Sequence, residues 1–278
     1  MSRGSGFQPE YGLMGAGAVN ASLVGRLHGK TRALGPVAGV SYRVASRIAN
    51  TLRAGTAVRS ADELDGIRII LFHSPPDQME TLFELLKAAN IRWPGKSLVF
   101  CDCESVCAMA AHFQSRGASV AMVRKCPIPG RMTVGGTAPA LTIANRLARD
   151  AGMKPVEIAP GQEDLFEAAV TLGSGALTPL IDYATALLRQ CGIRDTEAVQ
   201  LAAALFEQTA HDYAHSGRQS WAWYIREPAP ERLVAQIMAA GDALRTVLSQ
   251  LILFGLDAFD KHPEAAKAVR EALRARGE

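Results

Sequence analysis

The sequence predicts an α/β domain of the Rossmann type followed by an all-α C-terminal domain. Between Tyr11 and Ile158 short apolar runs alternate with helix-like stretches, the pattern of a parallel sheet covered by helices. A glycine-rich turn follows the first of those runs, and after Gly161 the strand signal gives way to long segments of helical periodicity. The expected division is 1–161 for the first domain and 162–278 for the second.

In order, the expected strands are Tyr11–Met14, Val37–Ser41, Ala57–Arg59, Ile67–Phe72, Ser97–Cys101, Ser119–Val123, Met132–Val134 and Val156–Ile158. Helices are expected over Ala18–Arg26, Tyr42–Leu52, Pro76–Ala89 and Ala138–Ala151. The second domain reads as helices over Asp164–Gly192, Asp195–Ser216, Glu231–Asp257 and Pro263–Arg276. Leu165, Ala168, Ala169 and Leu172, and again Leu201, Ala204 and Leu205, recur at the spacing of a packed helix face.

The chain has 278 residues, 48% hydrophobic and 21% charged, enough apolar material for a substantial core. A net charge of +3, spread among acids, gives no basic block and argues against a nucleic-acid partner. No apolar run is long enough to span a bilayer and residues 1–10 carry no signal-peptide stretch, so a cytoplasmic protein without a membrane partner is expected. Five cysteines, an odd number, argue against a disulfide framework.

The strongest local signal is Tyr11-Gly12-Leu13-Met14-Gly15-Ala16-Gly17-Ala18-Val19-Asn20, a strand running into Gly-x-Gly and then a helix. Gly15 permits the tight turn, and Gly17, lacking a Cβ, lets the backbone approach a pyrophosphate at a helix N-terminus. Asn20 stands where the usual third glycine would be. A merely structural turn is the competing reading, but the turn's place between strand and helix favours a dinucleotide, with Gly15, Ala16, Gly17, Ala18, Val19 and Asn20 as its contacts.

NAD-preferring proteins place an Asp or Glu at the end of the second strand; here stand Ser41, Tyr42 and Arg43, with Arg47 a helical turn on. A hydroxyl and guanidinium groups suit a 2′-phosphate, which favours NADP over NAD. The alternative makes Arg43 and Arg47 solvated helix charges. His73, Ser74 and Pro75 end one further strand, and Cys101 with the loop Asp102-Cys103-Glu104 ends another, both where the carboxyl edge would face the nicotinamide half. His73 is a candidate proton donor or else a hydrogen-bonded structural residue.

Cys101, Cys103 and Cys107 lack a matched Cys-x-x-Cys pair, so buried thiols explain them better than zinc, and no metal is expected. His211 and His215 share a helix face, without the Glu of a His-Glu-x-x-His motif. Trp221, Trp223 and Tyr224 read as packing between helices or subunits.

With these motifs in hand, the chain resembles the superfamily of pyrroline-5-carboxylate reductase and the 6-phosphogluconate and β-hydroxyacid dehydrogenases. The resemblance rests on Gly12-Leu13-Met14-Gly15-Ala16-Gly17, on the loop ending at Pro75, on Val123-Arg124-Lys125-Cys126-Pro127, and on Ala169-Val170-Thr171-Leu172-Gly173-Ser174-Gly175. It implies a Rossmann domain followed by a helical domain that forms a homodimer and completes an active site in the interdomain cleft. The region around Gln219–Trp223 lacks the reductases' Pro-Gly-Gly-Thr-Thr, and Asp164–Gly192 contains no lysine of the kind the β-hydroxyacid dehydrogenases use. The expectation is an NADP-dependent oxidoreductase reducing a small carbonyl or imine, with Ser174, Thr171, His73 and His211 as catalytic candidates. The rival is a noncatalytic dinucleotide-binding or sensing dimer on the same scaffold.

Overall fold

The computed structural model describes residues 10–19, 23–27, 34–103, 107–220, 230–259 and 263–274. It divides into two compact units, Met1–Ala168 and Ala169–Glu278.

The first unit is built on eight strands: β1 (Tyr11–Gly15), β2 (Leu34–Ala38), β3 (Thr56–Ala57), β4 (Ile69–His73), β5 (Ser97–Cys101), β6 (Ser119–Lys125), β7 (Arg131–Gly136) and β8 (Lys154–Glu157). They form one sheet in the order β3-β2-β1-β4-β5-β6-β7-β8. Each expected strand has its counterpart, with shifted ends. β2 stops at Ala38 because Ser41 leaves the sheet to cap the next helix. β7 runs antiparallel to β6, departing from the all-parallel pattern. The physical reason is length: only Cys126–Gly130 joins them, which suffices for a hairpin and not for a crossover helix.

Successive residues of β4 face opposite ways. Ile69 and Leu71 join one core layer with Leu23, Ile48, Ala144 and Leu147, whereas Ile70 and Phe72 join the other with Leu82, Leu86, Trp93 and Phe113. This period-two alternation, apolar on both sides, is what a doubly covered sheet demands. The covering helices are α1 (Leu23–Arg26), α2 (Tyr42–Leu52), α3 (Met79–Ala88), α4 (Cys107–Ser115) and α5 (Ala140–Asp150). Among the described residues α1 is shorter than the helix expected from Ala18.

The order reverses between β1 and β4, so loops leaving their carboxyl ends diverge and open a crevice there. At the opposite edge the Arg146 guanidinium of α5 donates to the Tyr11 phenol at 2.6 Å and pairs with Glu10, tying α5 to the start of β1.

The second unit continues from α6 (Glu163–Val170), through a π-helical segment at Thr171–Gly175, into α7 (Leu177–Gln190) and α8 (Asp195–Ser216). Then come α9 (Pro230–Ala239), α10 (Asp242–Phe259) and α11 (Pro263–Arg274). The expected single helix 231–257 is two, because Gly241 takes φ +75° and breaks the ladder. Among the described residues no helix is long and apolar enough to cross a membrane.

Burial of the Tyr11 phenol pushes its pKa up to about 12, against the lowering effect of Arg146. The neutral phenol is therefore the form the fold favours. Its contribution is fully present below the ordinary tyrosine pKa of 10.0 and is lost as pH rises through about 12. Denaturant unfolding should show the protein losing up to about 2 kcal/mol more stability than Tyr11→Phe between the two values. Parallel pH profiles for the two proteins would contradict this account.

Candidate functional site

The turn after β1 is held by the end of β4. Gly15 pairs in register with His73, and the Ala16 N–H donates to the His73 carbonyl at 3.0 Å. Gly17 then takes φ +74°, and a Cβ there would lie 2.9 Å from both Cγ and Cδ of Pro75. Glycine is thus required twice over, by conformation and by contact. The side chains of Ala16 and Val19 are core, while Gly17 and Ala18 are exposed. A ligand here would meet backbone amides, the donors that cradle a pyrophosphate. Asn20 lies outside the described residues.

Beside the turn, the end of β2 approaches just as closely. A Cβ on Gly39 would stand 2.9 Å from the Gly15 carbonyl oxygen. Ser41 caps α2, its Oγ accepting the Val44 N–H at 3.3 Å, which leaves the hydroxyl hydrogen for an incoming anion. Arg43 and Arg47 line a shallow groove with Ser46 and Asn50 on the outer face of α2. Arg43 sits at the carboxyl edge; Arg47 is one turn farther from it, roughly 6 Å along the axis.

A residue outside the sequence-derived set joins them. The Arg59 guanidinium lies 4.7 Å from the centroid of the Tyr42 ring, stacked over it. The loop carrying Arg59 is fixed by Glu63, whose Oε1 accepts the N–H groups of Arg59 and Ser60 at 3.1 and 3.4 Å. Ser60-Ala61-Asp62-Glu63 is a capping-box pattern legible in the sequence, and it is the signal that could have ended the strand before Arg59.

On the other side of the turn from β2 stand β4 and β5. The His73 Nδ1–H donates to the Cys101 carbonyl at 2.9 Å, since a carbonyl can only accept, and this fixes the orientation of the ring. The His73 ring is buried to 8% exposure. Ser74 is buried too, its Oγ–H donating to the Pro75 carbonyl at 2.9 Å, so it shapes the loop rather than facing outward.

Cys101 is one of the buried thiols expected from the sequence. Its side chain is fully buried and its thiol donates to the Val99 carbonyl, so only its backbone can meet a ligand. Burial pushes the Cys101 thiol well above its ordinary pKa and the Cys103 thiol up to about 12. Neither offers a thiolate, and among the described residues no group of three metal-ligating side chains assembles.

Between these thiols stands Asp102, in a loop the sequence places at the carboxyl edge without giving this residue a role. It adopts φ +55°, a left-handed conformation costing a non-glycine residue about 1 kcal/mol. Its Oδ2 accepts the Leu23 N–H at 2.7 Å and its Oδ1 the Lys125 N–H at 3.1 Å. No local sequence pattern announces it, because both partners are remote in the chain.

The remaining candidates belong to the helical unit. Thr171 and Ser174 lie exposed in the π-helical segment, where the Thr171 carbonyl accepts the Ala176 N–H at 2.9 Å. The Ser174 hydroxyl donates to the Val170 carbonyl at 2.6 Å, so its hydrogen is already committed. The His211 and His215 rings lie 4.2 Å apart, exposed on α8, with the His215 Nδ1–H donating to the His211 carbonyl at 2.8 Å. Trp221, Trp223 and Tyr224 lie outside the described residues.

A family model described as a domain of unknown function (DUF2520) matches residues 131–221. Among solved structures, an imine reductase from Aspergillus terreus in complex with NADPH4 and a dibenzazepine is 15% identical, with a TM-score of 0.63 over 97% of this chain and 95% of that one. A reductive aminase from the same organism, bound to NADPH and ethyl-5-oxohexanoate, is 16% identical, with a TM-score of 0.58 over 95% and 94%. An imine reductase from Myxococcus stipitatus in complex with NADP+ is 16% identical, with a TM-score of 0.57 over 96% and 95%. The chain has the fold of these proteins, a Rossmann domain followed by a helical one. Among curated proteins, none matches by sequence.

The Gly17–Pro75 contact yields a sharp expectation. Gly17→Ala should cost about 2 kcal/mol in denaturant unfolding, from the positive φ and the clash together, and should open the turn. A variant as stable as the unmodified protein would show that the contact relaxes freely.

Proposed function

We propose that the chain is an NADP-dependent oxidoreductase that reduces a small carbonyl or imine compound by hydride transfer. The observation that carries this is the backbone turn Gly15–Val19 at the switch point of the sheet, flanked at the end of β2 by the Ser41 hydroxyl and by Arg43 and Arg59. No carboxylate stands at Ser41, Tyr42 or Arg43 to receive ribose hydroxyls, and cations together with a hydroxyl suit a phosphate in their place. The described fold neighbours crystallised with NADPH or NADP+ support the same choice.

The turn's amides would bind the pyrophosphate, and Ser41, Arg43 and Arg59 the 2′-phosphate, with Tyr42 and Arg59 as a flat stacked pair beside them. When bound, the cofactor supplies the hydride. The protein's own chemistry there is orientation and proton handling. His73 is the group poised for the latter, with Nδ1–H anchored on the Cys101 carbonyl and Nε2 left to exchange a proton. An imine requires the least assistance, because its protonated form is already electrophilic. The free thiols at Cys101, Cys103, Cys126 and Cys191 suit a reducing cytoplasm.

A second reading has one observation of its own. The Ser174 hydroxyl is committed to the Val170 carbonyl, which leaves the family-like π-helical segment without a free hydroxyl donor at that position and favours a noncatalytic dinucleotide-sensing protein. Nicotinamide fluorescence separates the possibilities. The unmodified protein should prefer NADPH to NADH, and Arg43→Ala or Arg59→Gln should raise the NADPH Kd about tenfold or more while leaving NADH within about twofold. Turnover of NADPH with a member of a carbonyl and imine panel supports the enzyme; binding without turnover supports the sensor. No binding of either cofactor would sink both.

The homodimer is likewise a proposal. Leu201 and Leu205, one helical turn apart on α8, are exposed, as are Leu172, Tyr213 and Phe254 elsewhere in the helical unit. Sedimentation should give a dimer at micromolar concentration that Leu201→Asp/Leu205→Asp shifts to monomer. A monomeric unmodified protein removes the dimer from the reading.

A further inference from the structure

The start of the nucleotide turn is held by one strand, and the helix beyond it by the residue that follows another. The start is pinned to β4 through the Ala16 N–H and the His73 carbonyl. The helix that follows begins, among the described residues, at Leu23, whose N–H is held at 2.7 Å by the Oδ2 of Asp102, immediately after β5. β5 lies two places from β1 in the sheet, so this bond reaches across β4.

Asp102 is itself held from the far side. Its N–H donates to the Val123 carbonyl at 2.8 Å, and its Oδ1 accepts the Lys125 N–H at 3.1 Å, both on β6. Two backbone donors from remote elements therefore share one short side chain. The left-handed backbone at φ +55° is the departure from strand geometry that accompanies this bridge. A simple helix cap is normally supplied from within its own chain segment, a residue or two before the helix. Here it comes from residue 102, out of a loop that His73 ties back to β4 by donating from its ring to the Cys101 carbonyl, with the Cys103 thiol set between the Cys101 and Phe72 carbonyls at 3.5 and 3.7 Å.

We propose that Asp102 is a positioning residue for the dinucleotide pyrophosphate, acting through Leu23 to fix the exit of the turn Gly15–Val19 against the β5 and β6 ends. This rests on the nucleotide reading above. Asp102 does not touch the ligand; it sets the spacing of the amides that do.

The sign of the effect distinguishes positioning from bulk electrostatics. Removing a carboxylate near a doubly charged pyrophosphate tightens binding if charge alone matters. Positioning requires the reverse, since Asn keeps one acceptor and turns an N–H₂ toward the other donor.

The test uses the full chain, with Asp102→Asn, and with Asp102→Gly as a second variant that takes the positive φ without strain. Each is titrated with NADPH and with adenosine 2′-monophosphate, which reaches the β2 end but has no pyrophosphate. Both variants should bind NADPH about tenfold more weakly and adenosine 2′-monophosphate within about twofold of the unmodified protein. NADPH affinity that is unchanged or higher overturns the inference, as does a parallel loss for both ligands, which marks general loosening. If the unmodified protein binds no NADPH, the nucleotide reading falls and takes this one with it.

Discussion

The bond from the Ala16 N–H to the His73 carbonyl joins the two strands between which the sheet reverses direction, and the geometry of the crevice follows from how closely those strands must approach. Because the turn is drawn against β4, Pro75 occupies the space a Cβ on residue 17 would need. The end of β2, drawn in on the other side, leaves no room for a Cβ on residue 39. A side chain at either place would push the main chain away from where a ligand lies. Where the turn meets Pro75 and the end of β2, the crevice therefore presents peptide groups, and a ligand there would meet oriented N–H dipoles.

A site built from backbone is legible in sequence to the extent that glycine is. The turn, the strands on either side and the serine that caps α2 all follow from local patterns, and the structure places them together. The roles of Asp102 and Arg59 escape such a reading for a common reason: each acts on residues far along the chain, Asp102 on Leu23 and Arg59 on Tyr42. Nothing in the neighbourhood of either residue encodes that reach. The antiparallel β7 was hidden differently. An apolar run gives no direction, and only the shortness of Cys126–Gly130 reveals it. The π-helical segment at Thr171–Gly175 is hidden more deeply still, since one extra residue per turn over five residues barely disturbs a helical periodicity.

The buried thiols show why composition misleads about chemistry. Cys101, Asp102 and Cys103 have the residue types of a metal or nucleophile tract, yet burial holds both sulfurs protonated and each spends its hydrogen on a carbonyl of the sheet edge. They act as small apolar filler where β5 turns over, and the loop they stabilise is the one that carries the Asp102 carboxylate. The same economy holds for Ser74, whose hydroxyl closes on its neighbour's carbonyl. Polar residue types at the carboxyl edge thus divide into those that build the loops and those left to face outward.

That division bears directly on whether the chain is a catalyst. The β2 side of the crevice is richly specified: the turn and the Ser41 cap are each held by a hydrogen bond, and the Arg59 guanidinium stacks on the Tyr42 ring. The reacting end offers His73, whose ring is oriented by the Cys101 carbonyl and largely enclosed. For a reduction that must protonate its substrate, His73 is the described residue placed to take part, its ring oriented by that bond. A protein that delivers hydride to an electrophile already carrying its proton needs orientation above all, and orientation is what the ties among β1, β4, β5 and β6 supply.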